Sequence, residues 1–160
     1  MHIRSYLDAD FDQLVELTIE TFGPFFEDSF RPLVGERIFG HQHGRWRDDY
    51  RQQIAGLHRP GEHKYVAVAE EDGVLLGYVA WNVEAARSKG TVELLAVARN
   101  QRRSNVGTAL CEHAFAAMRA DGAEYVEIGT GGDDFHAPAR AFYESLGCVQ
   151  LPVAVYFREL

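Results

Sequence analysis

Hydrophobic positions change their spacing along the chain, and the changes divide it into elements. Residues 3–6 read as a short strand. After it, Phe11, Leu14, Val15, Thr18 and Phe22 recur at helical spacing, which predicts a first helix over residues 11–22. Asp8 or Asp10 offers its N-cap, and Gly23-Pro24 is expected to end it. Residues 25–58 mix aromatics with charges and are interrupted by Pro32, Gly35, Gly40 and Gly44. Within them, Trp46, Tyr50 and Ile54 fall on one helical face, which predicts a helix over 45–57.

From Lys64 the period shortens to two. Residues 65–69 and 75–83 read as strands joined at the turn signal Glu71-Asp72-Gly73, and 91–97 as a third strand after Gly90. A helix over 106–121 follows, with Leu110, Ala114, Ala117 and Met118 as its apolar stripe and Gly122 as its stop. Residues 125–129 predict a strand, 138–146 a short helix ended by Gly147, and 153–157 a last strand. This order predicts one α/β (α+β) domain spanning residues 1–160, with a mixed, mostly antiparallel sheet of six to seven strands flanked by helices.

Charge and composition narrow the function. The net charge of −8 disfavours a nucleic-acid partner, which needs a basic footprint, and suits a cationic ligand. No stretch approaches the run of about 18 apolar residues that marks a membrane span, so no membrane partner is expected. Met1 to Tyr6 carries no secretory signal, and the cytoplasm is the expected compartment. Cys111 and Cys148 have no redox or metal spacing, and His41, His43, His58 and His63 fit no zinc pattern, so no metal is expected.

The chemistry concentrates after the strand at 91–97. A strand feeding a helix through a short loop gathers free N–H groups at the positive end of the helix dipole. Arg102 and Arg103 add fixed charge and forked donors. These parts suit a pyrophosphate. The segment Arg102-Arg103-Ser104-Asn105-Val106-Gly107 resembles the acetyl-CoA-binding motif of the GNAT N-acetyltransferases, Gln/Arg-x-x-Gly-x-Gly/Ala. Asn105 replaces its first glycine; Asn tolerates φ > 0 better than other side chains, but its own side chain would crowd the phosphates. Ala139-Arg140-Ala141-Phe142-Tyr143-Glu144-Ser145-Leu146-Gly147-Cys148 resembles the C-terminal helix of the same family.

The resemblance implies the GNAT fold, acetyl-CoA as co-substrate and a small-molecule amine as acceptor. It implies that Leu95, Ala96, Val97, Arg102, Arg103, Ser104, Asn105, Val106, Gly107 and Thr108 hold the coenzyme. His136 stands where the family usually has Asn, and a hydrogen bond to the coenzyme is expected of it in preference to a role as base. Tyr143 matches the tyrosine that protonates the departing thiolate, and Glu93 is the candidate base, with water-mediated deprotonation as the alternative. A bulge, frequent on this strand in the family, would take Glu93 off the face of Leu95 and Val97. Glu127 and Glu84 stand behind Glu93 as candidates for the same role.

For the acceptor, Glu27, Asp28, Trp46, Asp49, Tyr50, Asp133 and Asp134 alternate carboxylates with aromatic rings, a combination suited to an amino sugar or polyamine. The segment Ile38-Phe39-Gly40-His41-Gln42-His43-Gly44-Arg45-Trp46 resembles antibiotic-inactivating members, including the kasugamycin and aminoglycoside 2'-N-acetyltransferases. Acetylation of a peptide or protein amine, or a non-catalytic acetyl-CoA sensor, are the alternatives. The apolar C-terminal residues are compatible with a homodimer.

Overall fold

The computed structural model describes residues 1–160. Its elements in order are β1 (His2–Ser5), α1 (Phe11–Pro24), α2 (Arg31–Val34), α3 (Glu36–His43), α4 (Trp46–Ala55), β2 (Lys64–Glu71), β3 (Val74–Glu84), β4 (Lys89–Val97), α5 (Val106–Ala120), β5 (Tyr125–Ile128) and α6 (Ala137–Ser145). Two compact units are formed: Met1–Thr21 with Arg47–Ile128, and Phe22–Trp46 with Gly129–Leu160. No helix is long and apolar enough to cross a membrane.

The first unit carries the five-stranded sheet, in the order β1-β2-β3-β4-β5. Every pairing is antiparallel except β4 with β5. Asp72 and Gly73, at φ 50° and 78°, make the tight turn between β2 and β3. On one face, Val79, Trp81 and Val83 of β3 and Val92 of β4 pack with Val106, Leu110, Ala114 and Met118 of α5. Gly90 lets Met118 pack close over β4, since a Cβ at that position would displace the Met118 side chain. On the other side of β3, the fully buried Tyr78 hydroxyl lies 2.6 Å from Thr18 Oγ1 of α1, which itself donates to the Leu14 carbonyl. Burial pushes the Tyr78 phenol well above its ordinary pKa.

The entry to α1 differs in detail from a single N-cap. Asp8–Asp10 forms a 3₁₀ turn, and the Asp10 carboxylate accepts the Leu7 N–H at 2.8 Å while Arg4 grips it through both guanidinium nitrogens. That grip, more than the backbone bond, holds the buried carboxyl below the usual range.

In the second unit, two expectations are corrected. Gly23-Pro24 does not end the first helix: α1 runs through Pro24 and passes into a π-helical turn, Phe25–Phe30. Proline removes one i→i−4 donor, and the wider i→i+5 turn absorbs the interruption while burying Phe26 and Phe30. The strand expected at 153–157 is absent, and with it the sixth strand of the sheet. These residues form no ladder, and Val153, Val155 and Tyr156 are exposed. Alternation sets which side chains share a face, but a strand exists only where another chain segment takes its backbone hydrogen bonds.

Candidate active site

The register between β3 and β4 shifts at Ala80/Trp81: Ala80 faces Leu94 and Trp81 faces Val92, so Glu93 is the extra residue of a bulge. Val92 lies on the α5 side before it and Leu95 and Val97 lie there after it. Glu93 accepts a 2.5 Å hydrogen bond from Asn82 Nδ2, and Lys64 Nζ lies 4.0 Å from the same oxygen. The pairing of β4 with β5 stops at Val92 and Ile128. Beyond it, residues 93–97 have a strand neighbour only in β3, so their other edge keeps backbone groups available for an extended ligand.

The chain then makes a 3₁₀ turn, Arg99–Gln101, and enters α5 at Val106. Arg103 and Asn105 are left-handed, at φ 69° and 65°; Asn105 therefore adopts the conformation of the glycine it replaces. Left-handed residues in such a loop turn backbone N–H groups toward a common concavity. Internal backbone bonds are made by the N–H groups of Gln101, Arg102 and Ser104, and α5 bonding starts with Ala109 N–H to the Asn105 carbonyl. The N–H groups of Val106, Gly107 and Thr108 thus stand at the open end of the helix dipole. Arg102 and Arg103 are exposed beside them. An open groove of about 440 Å³ is lined by Glu20, Ala98, Arg99 and Asn100. The free β4 edge, the left-handed loop and the open helix end together form an anion cradle at the end of an extended binding edge.

In the second unit, aromatic rings join the two segments expected to meet the acceptor. Phe25 packs against Phe135 and His136, with ring centroids 5.7 and 4.7 Å away. His136 Nδ1 is 2.5 Å from Asp133 Oδ1. Arg140 of α6 donates to the carbonyls of Gly131 and Asp133 at 2.7 and 2.6 Å, which closes the loop around this pair. Tyr143, on the same helix, is half-buried with its ring against Phe142.

The model of the acetyltransferase (GNAT) family matches residues 12–148. The chain belongs to that family. It is accordingly an acetyltransferase, of a family that uses acetyl-CoA. No curated protein matches the sequence. Among solved structures, a single-site mutant of the BH1408 protein from Bacillus halodurans superposes with TM-score 0.76 at 17% identity, covering 100% of both chains. The aminoglycoside antibiotic 6'-N-acetyltransferase AAC(6')-IG from Acinetobacter haemolyticus gives 0.69 at 17% identity, covering 100% of this chain and 99% of that one. AAC(6')-Iy, solved with a bisubstrate analogue, CoA-S-monomethyl-acetylneamine, gives 0.69 at 13% identity over 99% and 97%. At these identities the likeness is one of fold.

The expected acceptor residues of this acetyltransferase differ in how free they are. Glu27 accepts from Trp46 Nε1 at 3.1 Å and from Arg31 Nη1 at 2.8 Å, so both of its oxygens are engaged. Trp46 is 3% exposed and stacks on Phe26, which leaves no ring face for a ligand. Asp28 and Asp134 are exposed. In the first unit, Asp49 is exposed, whereas burial pushes the Tyr50 phenol up to about 12. Glu127 and Glu84 are paired with Lys89 and Arg87.

Three partnerships were missed in the sequence: Asn82 with Glu93, Asp133 with His136, and Arg140 with its loop. Only Asp133 and His136, three residues apart in one loop, left a local signal. The other two depend on register and on a helix folding back over a loop.

Proposed function

We propose that this acetyltransferase moves an acetyl group from acetyl-CoA to a primary amine of a small polycationic molecule, an aminoglycoside-like amino sugar in particular. The observation that carries the reading is the joining, in the second unit, of the aromatic segment after α1 to the acidic loop at 133–136 through Phe25. Asp28 and Asp134 supply exposed carboxylates for ammonium groups, Asp133 is turned to His136, and Asp49 adds to the negative potential of the chain. Glu27 and Trp46 shape that segment and do not contact the acceptor, because their polar atoms and faces are engaged. The likeness to two aminoglycoside 6'-N-acetyltransferases supports the choice of acceptor class.

In this reading the coenzyme's pyrophosphate is held by the N–H groups and arginines of residues 102–108, and its extended arm lies along Leu95, Ala96 and Val97. Tyr143 protonates the departing thiolate. Glu93, anchored by Asn82, holds a water or the incoming ammonium at the bulge.

The test is thiol release from acetyl-CoA with a panel of aminoglycosides, polyamines and peptides, followed by antibiotic susceptibility of cells expressing the protein. Turnover of amino sugars is expected, with an acceptor KM that rises with ionic strength, since exposed charges are screened beyond about 8 Å at 0.15 M salt. Turnover of peptides but of no amino sugar or polyamine would overturn the acceptor assignment.

A further inference from the structure

A histidine with one ring nitrogen held by a carboxylate is an oriented proton acceptor. Asp133 Oδ1 at 2.5 Å from His136 Nδ1 selects the tautomer in which Nδ1 donates and Nε2 keeps its lone pair. The surroundings hold the pair in place. Arg140 ties down the carbonyls at 131 and 133, and a Cβ on Gly131 would collide with both the Asp133 and the His136 side chains. The rings of Phe25 and Phe135, with centroids 4.7 and 5.0 Å away, wall the imidazole, whose side chain is only 16% exposed. The second carboxylate oxygen, Asp133 Oδ2, is buried and accepts nothing. The charged group on the imidazole is Asp133 from its own loop, and the guanidinium of Arg140 from α6 is held at the carbonyls of Gly131 and Asp133; the segment packed on the ring from the other side presents Phe25. Glu93, the carboxylate nominated by the sequence, already accepts from Asn82 and lies beside Lys64.

We propose that His136 takes the proton from the acceptor ammonium and that Asp133 positions it for that step. The proposal rests on the acetyl-transfer reading given above. His136 Nε2 accepts one proton from R–NH₃⁺, leaving R–NH₂ and an imidazolium paired with the Asp133 carboxylate. The amine nitrogen attacks the thioester carbonyl, a C–N bond forms and the C–S bond breaks with its electron pair on sulfur. Tyr143 protonates that sulfur and recovers a proton from the amide nitrogen, and His136 returns its own to solvent. The products are the acetamide, the free thiol and one proton.

The experiment compares wild type, His136→Asn and Asp133→Asn by acceptor kcat/KM against pH, by acetyl-CoA calorimetry and by ¹⁵N NMR of the His136 ring. Asn preserves a hydrogen-bonding amide, the group the family usually has here, but cannot take a proton. Loss of kcat/KM by about 10²–10⁴-fold in His136→Asn, with the acidic limb abolished and acetyl-CoA affinity within about twofold, is the expected result. Asp133→Asn is expected to keep a limb with a moved midpoint and a smaller loss. Full activity of His136→Asn with an unchanged limb, or loss confined to acetyl-CoA affinity, would overturn the proposal while leaving the acetyltransferase intact. If wild type acetylates no amine, the functional reading fails instead. The NMR spectrum then decides the pair alone: Nδ1–H lost in Asp133→Asn supports it, and Nε2–H in wild type refutes it.

Discussion

Thr18 and Tyr78 offer a sharp test of how the first unit is held together. Both are 0% exposed, and their oxygens are 2.6 Å apart. Thr18 has one hydroxyl proton, and the Leu14 carbonyl 2.6 Å away takes it; Tyr78 is therefore the donor to Thr18. The two truncations are consequently unequal. Tyr78→Phe removes a donor and leaves Thr18 still bonded to Leu14, at a cost of about 1 kcal/mol. Thr18→Val strands a buried phenol proton, at about 2 kcal/mol. For a chain of 160 residues, the second value corresponds to a Tm lower by roughly 4–8 °C, the first to about half that. Removing both groups leaves no unpaired donor, so the double variant should sit within about 1 kcal/mol of wild type, a coupling of about 2 kcal/mol. Urea and thermal unfolding followed by circular dichroism measure all three. Additive losses, or a Tyr78→Phe cost exceeding that of Thr18→Val, would refute the donor assignment.

Other expectations follow from the cradle, the acid and a buried imidazole. Gly107→Val places a branched side chain over the first turn of α5 and should weaken acetyl-CoA binding by at least about tenfold in calorimetry, without unfolding the protein. Asn105→Gly keeps φ near 65° while removing the side chain that crowds the cradle, and its coenzyme Kd should fall severalfold. Tyr143→Phe should lower kcat by about 10²–10⁴-fold with little change in Tm; a drop below about threefold, with chemistry rate-limiting, would make the hydroxyl dispensable. His58 Nδ1 accepts the Val66 N–H at 3.0 Å, which only the neutral ring can do, and burial lowers its pKa from the ordinary 6.5. A depressed folded-state value means the unfolded chain binds the extra proton first. Stability from His58 is therefore complete above about pH 6.5 and is lost as pH falls below it; Tm measured from about pH 7.5 to 5 should show this slope, and His58→Leu should flatten it.

The strands of the first unit were legible because their period-two runs are bounded by turn residues, and Asp72 and Gly73 adopt the left-handed geometry their types predict. Asn105 was legible for the same reason, since a position requiring φ > 0 leaves few residue types. The helix stop at Gly23-Pro24 was misjudged because a local rule met tertiary demand. Burying Phe26 and Phe30 against Trp46 and His43 outweighs one missing donor, and the helix widens rather than ends. The tail at 153–157 failed in the opposite way: its alternation is present, but its only aromatic anchor is Phe157 against Phe30. The Asn82–Glu93 bond was invisible, since it exists only once the bulge sets the register.

That bulge makes Glu93 a residue the core of the first unit could do without. Upstream of Glu93, Val92 lies on the side toward α5; downstream, Leu95 and Val97 do so, and Ala96 is buried on the other side. Deleting Glu93 would restore strict alternation and leave Val92, Leu95 and Val97 toward α5 and Ala96 away from it, because the ladder with β3 already skips that residue. What the strand would lose is the bulge alone, and with it the acceptor of the Asn82 bond. A chain shortened there is expected to keep its core and most of its stability, whereas the removal of two residues would shift the pairing of 94–97 with β3.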